Sequence, residues 1–440
     1  MEKLLRSLEQ CIPKPLYRWG QPIYHRTLAL GSAIAYGFPS RRINVIAVTG
    51  TKGKSSTVEL VSAMLEEAGH QTALSNTIRF KVGDQSRPNL FKMSMPGRGF
   101  MQRFLRQAVR AGCEYAVIEM TSQGASLYRH TFIDIDVLVV TNISPEHIES
   151  HGSYENYVAA KLAIGTQFEK SPKKNKVLIL NTDDVNLEQF ARLKIENKIQ
   201  YSLGEMKPYS LLTGNNGVSD GLEFTYNCQR MTSHLSGTFN LYNILAAIKT
   251  AESQGVSREK IASALRKFKE IKGRVERIEA GRDFTVIVDY AHTADSLEKL
   301  YQVFKGSRLI AVLGGTGGGR DRAKRKEMGK LAARYCDYVV LTNEDPYDED
   351  PMHIIHDVKA GVEEIWRNHD NKATSDTKPT VILDRRLAIR DAISHATSGD
   401  IILITGKGTD PFIMGAHGNN IPWSDAQVAR EELEKMNKNE

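Results

Sequence analysis

The sequence predicts an α/β protein with a doubly wound, phosphate-loop central domain followed by a Rossmann-like α/β domain. Unbroken apolar runs, each followed by a segment of helical periodicity, are typical of parallel strands buried on both faces. This alternation stops after residue 181 and restarts near residue 284, so the chain contains two such units. We therefore expect a short helical extension at 1–42, a central domain at 43–275 and a C-terminal domain at 276–440.

The central domain begins with the strand that starts at Ile43. The pattern predicts further strands and helices in this order: strand 43–49, helix 54–68, a helix near 98–111, strands 115–119 and 136–142, helix 153–169 and strand 177–181. Residues 200–236 indicate short antiparallel strands with polar turns. A long helix then opens within 235–243 and ends near Ser253, and another follows at 257–269.

A hinge-like segment, residues 273–276, leads into the second domain. Its predicted strands, with helices between them, are 284–289, 308–313, 337–342, 380–383 and 400–404.

Before the first strand of the central domain, the uncharged run from Thr27 to Pro39 is shorter than the roughly 20 residues that a bilayer requires. It predicts a helix packed on the protein, with a membrane-surface helix beside His25, Arg26, Arg41 and Arg42 as the alternative.

Composition and charge narrow the function classes. The 440 residues are 41% hydrophobic and 25% charged. The net charge of +7 favours anionic partners such as polyphosphates or nucleotide-linked substrates, or reflects solubility alone. No arginine-rich arm indicates nucleic acid, and no segment predicts firm membrane association. The four cysteines lack C-x-x-C spacing, which argues against a zinc site or a disulfide framework and fits a cytoplasmic protein. The sequence does not indicate an oligomeric state.

A glycine loop follows the first strand and predicts a phosphate site. Backbone N–H groups of such a loop and the positive end of the next helix bind phosphate oxygens, a lysine adds charge, and a hydroxyl holds Mg²⁺. The spacing is a variant of the common loop, because Val48 stands where the first glycine would be. The loop residues are Gly50, Thr51, Lys52, Gly53, Lys54, Ser55 and Ser56.

Polar residues also follow the next strands, at the sheet edge where ligands collect in open α/β folds. Glu119 ends one strand and His147 follows another, so a carboxylate and an imidazole are expected near the phosphate loop with a divalent ion. Lys161 lies on the apolar face of helix 153–169, and a buried ammonium is costly. It either extends its ammonium to solvent, meets a phosphate, or is converted to a carbamate that could bind Mg²⁺.

Four strand ends of the second domain carry polar motifs in the same way. Taken together they predict a ligand site, although each glycine-rich turn alone is a weak signal. The motifs are Asp289-Tyr-Ala-His292, Gly314-Gly-Thr-Gly-Gly-Gly-Arg320, Thr342-Asn-Glu-Asp-Pro346 and Thr405-Gly-Lys-Gly-Thr-Asp410.

These motifs resemble the ATP-dependent Mur ligases of peptidoglycan synthesis, and within that family the members that add the third amino acid of the stem peptide. The resemblance runs from about residue 43 to 430. The matching segments are Thr49–Ser55, Glu119–Gln123, Thr141–His147, His151-Gly152, Tyr154–Lys161, Asp289–Thr293, Asp295–Leu297, Asp321–Lys326, Asp384-Arg385 and Gly406–Gly408.

The resemblance implies a ligase that uses ATP and Mg²⁺ to form an acyl-phosphate, which an amino acid then attacks. It implies that Lys54 binds the β/γ-phosphates, that Ser55 and Glu119 hold one Mg²⁺, and that His147 and carbamylated Lys161 hold a second. Lys54, Lys161 and His147 are thus the implied catalytic residues. Nucleotide contact or coupling to domain closure is implied for Asn240, Asn243, Arg274, Asp289 and His292, and substrate contact for Ser122, His151, Asp345, Pro346, Tyr347, Asp384, Arg385, Gly406 and Asp410.

The implied substrates are a muramyl peptide and an amino acid, but the chain departs from the family pattern at three places. Only about 42 residues precede the loop strand, so the uridine-nucleotide domain is expected to be largely absent. Tyr347 replaces the arginine of Asp-Asn-Pro-Arg, and Thr409-Asp410 replace His-Glu, which predicts an amino acid other than meso-diaminopimelate. A ligase of folylpolyglutamate- or cyanophycin-synthetase type, or a non-catalytic nucleotide-binding interaction protein, are the alternatives.

Overall fold

Two sheets, each rich in parallel strands, carry the fold. The computed structural model describes residues 14–97, 99–146, 148–213, 219–320, 322–367 and 378–438. The chain divides into two compact units. Unit 1 comprises the residues up to Leu203 together with Tyr242–Ala264, and unit 2 comprises Gly204–Leu241 together with the residues from Leu265 onward.

The eight strands of unit 1 form one sheet in the order β4-β3-β2-β5-β1-β6-β7-β8. All neighbours are parallel except the pairs made by β3, which is antiparallel to β2 and β4. The central strands are apolar throughout and buried on both faces, as parallel sheets require. The strands are β1 Asn44–Thr49, β2 Thr72–Ser75, β3 Arg79–Val82, β4 Gln85–Pro88, β5 Tyr115–Glu119, β6 Val137–Val140, β7 Val177–Asn181 and β8 Asn197–Tyr201.

Helices connect these strands and cover the sheet. The helix after β1 begins at Lys54 directly behind Gly53, and Ser153 caps Tyr154–Glu169 by accepting a hydrogen bond from the Asn156 N–H. The described helices up to residue 267 are Lys14–Tyr36, Lys54–Glu67, Phe100–Arg110, Ser122–Ser126, Ile148–His151, Tyr154–Glu169, Glu188–Ala191, Phe239–Ser253 and Arg258–Lys267, with 3-10 turns at Pro39–Arg42, Val185–Leu187 and Leu203–Met206.

Unit 2 contains a three-stranded antiparallel sheet, a six-stranded sheet and a small hairpin. The six-stranded sheet has the order β12-β13-β17-β14-β15-β16, and only the edge pair β12–β13 is antiparallel. The strands are β9 Tyr209–Thr213, β10 Ser219–Tyr226, β11 Gln229–Ser233, β12 Glu276–Ile278, β13 Thr285–Asp289, β14 Leu309–Leu313, β15 Tyr338–Leu341, β16 Thr380–Val381, β17 Ile401–Thr405, β18 Phe412–Met414 and β19 Asn420–Pro422. The helices that begin after β13 are Ala294–Val303, Ala323–Tyr335, Pro351–Arg367, Arg385–Ser394 and Asp425–Lys438.

The predicted fold class is confirmed, and each predicted strand of the two large sheets is present within a few residues of its expected bounds. Strands β2, β3 and β4 were not predicted, because none of them is an unbroken apolar run, and the sequence of β4, Gln-Ser-Arg-Pro, is polar and exposed. The predicted apolar helix is also present, but it begins at Lys14 rather than Thr27. Among the described residues, no helix has the length and apolar character to cross a membrane.

Candidate functional site

The glycine loop between β1 and helix Lys54–Glu67 is held in a conformation that only glycine suits. Gly50 has φ +145° and Gly53 has φ +80°. A Cβ at Gly50 would lie 2.0 Å from Thr141 Oγ1, and one at Gly53 would lie 2.1 Å from Asn243 Oδ1. Both glycines therefore allow close approach of neighbouring groups as well as the turn itself.

The end of β6 fixes this loop through the backbone of Lys52. Asn142 accepts a hydrogen bond from the Lys52 N–H at 2.9 Å and donates one to the Lys52 carbonyl at 3.0 Å. Thr141 Oγ1 donates to the same carbonyl at 2.7 Å, and the Thr51 N–H donates to the Asn142 carbonyl at 2.7 Å. Because these bonds join two adjacent strand ends, the loop is preformed at the start of the helix.

Glu119 lies at the end of β5 with its carboxylate buried beside the loop. Ser55 Oγ donates to it at 2.7 Å, Thr77 donates through its N–H and its hydroxyl at 3.2 Å, and Lys54 Nζ lies 4.0 Å away. Burial alone would raise the pKa of Glu119, but the Lys54 charge and the hydrogen bonds from Ser55, Ser94 and Thr77 hold it below its usual value. The carboxylate is therefore kept ionised.

The donor set around Glu119 consists of oxygen atoms, which is the set that Mg²⁺ prefers. Ser55 offers a hydroxyl and Glu119 a carboxylate, and Lys54 Nζ, which donates to the Thr51 carbonyl at 2.8 Å, lies beside the same loop. Among the described residues, no cluster of three or more His, Cys, Asp or Glu side chains forms a complete metal site. A site built on Ser55 and Glu119 would need substrate phosphates and waters to complete the coordination sphere of a metal ion.

Lys161 is buried, as its place on the apolar face predicted. Only 2% of the residue is exposed, and Nζ donates to the carbonyl oxygen of Gly50 and lies 5.0 Å from the centre of the Tyr157 ring. Burial, with the charge of Lys54 adding to it, places the pKa of Lys161 well below its usual value. In the described part of the chain, no carboxylate forms an ion pair with this amine.

Two residues assigned to substrate contact lie together near this loop. His151 Nε2 and Ser122 Oγ are 3.1 Å apart and share a hydrogen bond. Burial and the nearby Lys161 charge lower the pKa of His151.

His147 lies outside the described residues, so its predicted metal role stays a prediction.

Helix Phe239–Ser253 carries the two asparagines that the sequence singled out. Asn243 lies against Gly53, as the close approach of its Oδ1 shows. Asn240, one turn earlier, is buried and donates to the Ser236 carbonyl at 2.8 Å. The structure therefore places Asn243, which is far from the loop in sequence, directly beside it.

In unit 2, the end of β13 holds Asp289 in a network of backbone contacts. Its carboxylate accepts hydrogen bonds from the N–H groups of Val275 and Ala291, both at 2.7 Å. Burial nevertheless raises the pKa of Asp289, opposed by the charge of Arg274 and by these bonds. The Arg274 guanidinium stacks 4.3 Å from the centre of the Tyr290 ring, and His292 Nδ1 is 2.7 Å from the Tyr290 carbonyl oxygen.

The loops after β14, β15 and β17 meet around Glu344. A Cβ at Gly314 would lie 2.7 Å from Glu344 Cβ, and one at Gly406 would lie 2.3 Å from Glu344 Oε2. Thr316 Oγ1 donates to Oε1 at 2.8 Å, whereas the buried Oε2 has no hydrogen-bond partner among the residues that the structure describes. Burial raises the pKa of Glu344.

Beside it, the fully buried Lys407 is surrounded by acceptors. Its Nζ donates to Asp345 Oδ1 at 2.7 Å and to the Phe412 carbonyl at 2.6 Å, and it lies 3.6 Å from Asp410 Oδ2. Asp345 also accepts a hydrogen bond from the Met414 N–H at 2.8 Å. The positive charge of Lys407 is therefore balanced by the carboxylates of Asp345 and Asp410.

The remaining predicted substrate residues surround this cluster in different ways. Tyr347 and Pro346 pack against the glycine loop after β14, at Gly318 and Gly317. Asp384 caps the next helix by accepting from the Leu387 N–H at 3.0 Å. Arg385 is buried and makes a bidentate pair with Asp425 at 2.8 and 2.7 Å, so its guanidinium is already engaged within the fold.

Three residues that shape the unit 1 site were not predicted from the sequence. Thr77 holds Glu119, Ser94 bonds the Thr77 hydroxyl at 2.7 Å, and the Tyr157 hydroxyl lies 2.6 Å from Thr51 Oγ1. Tyr157 could have been found, because it shares the apolar face of Lys161 and is a phenol on a buried stripe. Thr77 and Ser94 lie in a turn and a loop that carry no recognisable motif.

Comparison with known proteins agrees with the geometry of both units. Residues 48–251 match the model of the Mur ligase middle domain, and residues 273–408 match that of the Mur ligase, glutamate ligase domain. The chain is 35% identical to the UDP-N-acetylmuramyl-tripeptide synthetase of Roseiflexus sp. over 97% of this chain and 85% of that protein.

Two further relatives are named diaminopimelate ligases. The UDP-N-acetylmuramoyl-L-alanyl-D-glutamate--2,6-diaminopimelate ligase of Syntrophomonas wolfei is 36% identical over 94% of this chain and 82% of that protein. A solved structure of a ligase with the same printed name superimposes with a TM-score of 0.59 at 28% identity, covering 90% of this chain and 79% of that one.

Proposed function

Because this chain belongs to the Mur ligase family, we propose that it joins an amino acid to the carboxylate of a muramyl peptide through an acyl-phosphate. At the coarser level it is an ATP-dependent acid–amino-acid ligase of peptidoglycan synthesis. The observation that supports the finer proposal most is the convergence of Lys54, Ser55, Glu119 and Lys161 around one preformed glycine loop.

In the first step, a carboxylate oxygen of the muramyl peptide attacks the γ-phosphorus of ATP, and ADP leaves. The loop N–H groups and the start of helix Lys54–Glu67 would bind the polyphosphate, and Lys54 would neutralise charge on the transferring phosphoryl oxygens. Bound Mg²⁺, held by Ser55 and Glu119, would supply further stabilisation of that charge. Asn142 and Thr141 keep the loop in the binding conformation.

In the second step, the amine of the incoming amino acid attacks the acyl carbon and inorganic phosphate leaves. The overall reaction converts the acid, the amine and ATP into the amide, ADP and phosphate. We place substrate contacts of the acid near Ser122 and His151. We assign the amino acid to the strand ends of unit 2, around Asp345, Tyr347 and Asp410.

Lys161 is proposed to act as a carbamate. Burial lowers the pKa of Lys161 and so raises the fraction of neutral amine, and a neutral amine adds to CO₂ to give a carbamate with release of one proton. The product is a carboxylate-like ligand next to the loop, which would hold a second Mg²⁺ together with His147. The Gly50 carbonyl and the Tyr157 ring position the amine for this reaction.

The amino acid is proposed to differ from meso-diaminopimelate. Tyr347 has no guanidinium with which to bind a second carboxylate in bidentate fashion, and Asp345 already accepts from Lys407 and the Met414 N–H. Tyr347 therefore offers no guanidinium to a carboxylate at the end of the substrate's side chain.

The test is release of phosphate from ATP in the presence of Mg²⁺, UDP-muramyl-dipeptide and each of a panel of amino acids. We expect release that depends on both the peptide and one amino acid other than meso-diaminopimelate, and its loss in Lys54→Ala. Release with a non-nucleotide acid instead of the muramyl peptide would contradict the proposed substrate. Selective release with meso-diaminopimelate would contradict the amino acid assignment alone.

A further inference from the structure

Helix Lys14–Tyr36 is amphipathic, but its apolar face is exposed and its more polar face meets the protein, which is the reverse of the usual arrangement. Its protein-facing positions carry small or polar residues, whereas large aliphatic side chains point away from the protein. Ile23, Leu30 and Ile34 are 53%, 38% and 61% exposed, and their spacing of seven and four residues places them on one face. The protein-facing positions are Gln21, His25, Ala29, Ser32, Ala33 and Tyr36.

The neighbouring helix Phe100–Arg110 shows the ordinary arrangement. Phe100, Phe104 and Leu105 are buried, while Arg103 and Arg110 are exposed. A Cβ at Gly99 would lie 2.7 Å from Ser32 Oγ, so the start of this helix packs directly on helix Lys14–Tyr36. The exposed arginines therefore belong to the same region of unit 1 as the exposed aliphatic face.

A loop extends the apolar surface. Leu90, Phe91 and Met93 are 59%, 48% and 43% exposed, and the Phe91 ring packs edge-on against Phe100 with centroids 5.3 Å apart. The loop therefore borders the start of helix Phe100–Arg110, which in turn borders helix Lys14–Tyr36. These three segments form one surface, which we call the N-terminal patch.

The charge of the N-terminal patch has one sign. Residues 14–42 contain five Lys and Arg, residues 85–113 contain six, and neither segment contains an Asp or Glu. Asp134, which pairs with Arg41 at 3.1 Å, approaches from another segment and is itself buried. A second copy of the chain would set these arginines against each other without carboxylates to compensate them, which disfavours a symmetric dimer through this face.

We propose that the N-terminal patch binds the surface of a bilayer that contains anionic lipids. An exposed aliphatic helix face flanked by basic residues is the composition that such surfaces bind, with the helix lying in the interface rather than crossing it. The aliphatic side chains enter the boundary between headgroups and acyl chains, and the arginines contact the anionic headgroups. This inference is independent of the proposed reaction, since none of these residues belongs to the phosphate-loop site.

The experiment is co-sedimentation of the full chain with vesicles of phosphatidylcholine, with or without roughly one third phosphatidylglycerol, at low and high salt. We expect binding to the anionic vesicles alone, weakened by salt. The variant Ile23→Glu, Leu30→Glu, Ile34→Glu should bind at least about tenfold more weakly. The variant Arg103→Gln, Arg106→Gln, Arg110→Gln should weaken binding by about tenfold to a hundredfold. Val185→Glu, at an 85% exposed site in another part of unit 1, is the matched control and should bind as the parent does.

The vesicle experiment distinguishes bilayer binding from dimerisation and from no binding at all. Equal binding of the parent to neutral vesicles, no binding to anionic vesicles, or unchanged binding of the triple glutamate variant would overturn the proposal. A parent that is dimeric in solution, binds no vesicles and becomes monomeric in the glutamate variant would assign the patch to a second copy. Near-ultraviolet circular dichroism of each variant establishes that it is folded.

Discussion

The strand-end clusters of the two units each bury one lysine and one glutamate, but they balance the charges in opposite ways. In unit 1, Glu119 is compensated by Lys54 and three hydroxyl or N–H donors, while Lys161 has, within the described ranges, only the Gly50 carbonyl as its hydrogen-bond partner. In unit 2, Lys407 is compensated by Asp345 and Asp410, while Glu344 keeps one oxygen that no described residue pairs.

Whether a buried charge has a partner of opposite sign decides whether it contributes to stability or to reactivity. A buried charge with a partner of opposite sign holds the fold together, and removing either partner is costly. A buried titratable group without one shifts its pKa toward the neutral form and becomes available for chemistry. On this reasoning we propose that Lys161 is the reactive lysine and Lys407 the structural one. Substitutions at each lysine and at its neighbours separate the two roles.

The largest expected effect is the loss of activity in Lys161→Met. Because the variant removes the proposed carbamate and keeps the volume of the side chain, phosphate release should fall at least about 1,000-fold. The free energy of unfolding should change by less than about 1.5 kcal/mol. In ¹³C-bicarbonate, the parent and Lys407→Met should show a carbamate resonance that Lys161→Met lacks. Full activity of Lys161→Met would refute the carbamate proposal.

The second prediction concerns Lys407→Met, which should lower the stability of the fold. The variant leaves Asp345 and Asp410 buried without their cation, so unfolding by urea should show a loss of about 3–5 kcal/mol. The double variant Lys407→Met, Asp345→Asn should recover part of that loss. If Lys407→Met is as stable as the parent, the cluster is not held together by this charge.

A smaller effect is expected at Gly50, whose carbonyl accepts from Lys161. Alanine there would be strained at φ +145° and would place its Cβ 2.0 Å from Thr141 Oγ1. Gly69→Ala is the matched control, because Gly69 has φ +98° and a Cβ added to it would have no described atom within 4 Å. Gly50→Ala should lose about 1–3 kcal/mol more stability than the control, and ATP binding should weaken. Similar losses in both variants would show that only backbone strain matters.

The smallest effect is a pH dependence at Glu344. Since its pKa is raised in the folded state, the stability gained from the neutral form is present at acid pH and is lost as pH rises through the folded pKa. Glu344→Gln should therefore gain stability relative to the parent as pH rises. Glu119→Gln should show the reverse sign, because the lowered pKa of Glu119 gives stability that is lost as pH falls. Thermal unfolding measures this, above pH 4.5 for Glu344→Gln and below pH 4.5 for Glu119→Gln, because the two folded pKa values lie on opposite sides of that usual value. A variant curve that stays parallel to that of the parent in its own pH range would contradict the assignment.

Much of the fold and part of the site could be predicted from sequence. Strands such as β5 and β6 were predicted because buried parallel strands are unbroken apolar runs, and Glu119 and Asn142 follow directly at their ends. Strand β4 and the turn at Thr77 were not predicted, because their residues are polar and are ordered by neighbours in the sheet. The reversed face of helix Lys14–Tyr36 was not predicted either, since periodicity alone does not say which face meets the protein.

By itself, the sequence determined which chemical groups stand at the strand ends and that Lys161 would lie on a buried face. Both follow from local rules, namely the placing of ligands beyond parallel strands and the helical repeat of 3.6 residues. Only the tertiary structure decided the partners: Thr77 on Glu119, Asn243 on Gly53, the Gly50 carbonyl on Lys161 and Asp345 on Lys407. These contacts join segments far apart in the chain, and they depend on the order of strands in the sheets, which local patterns do not specify.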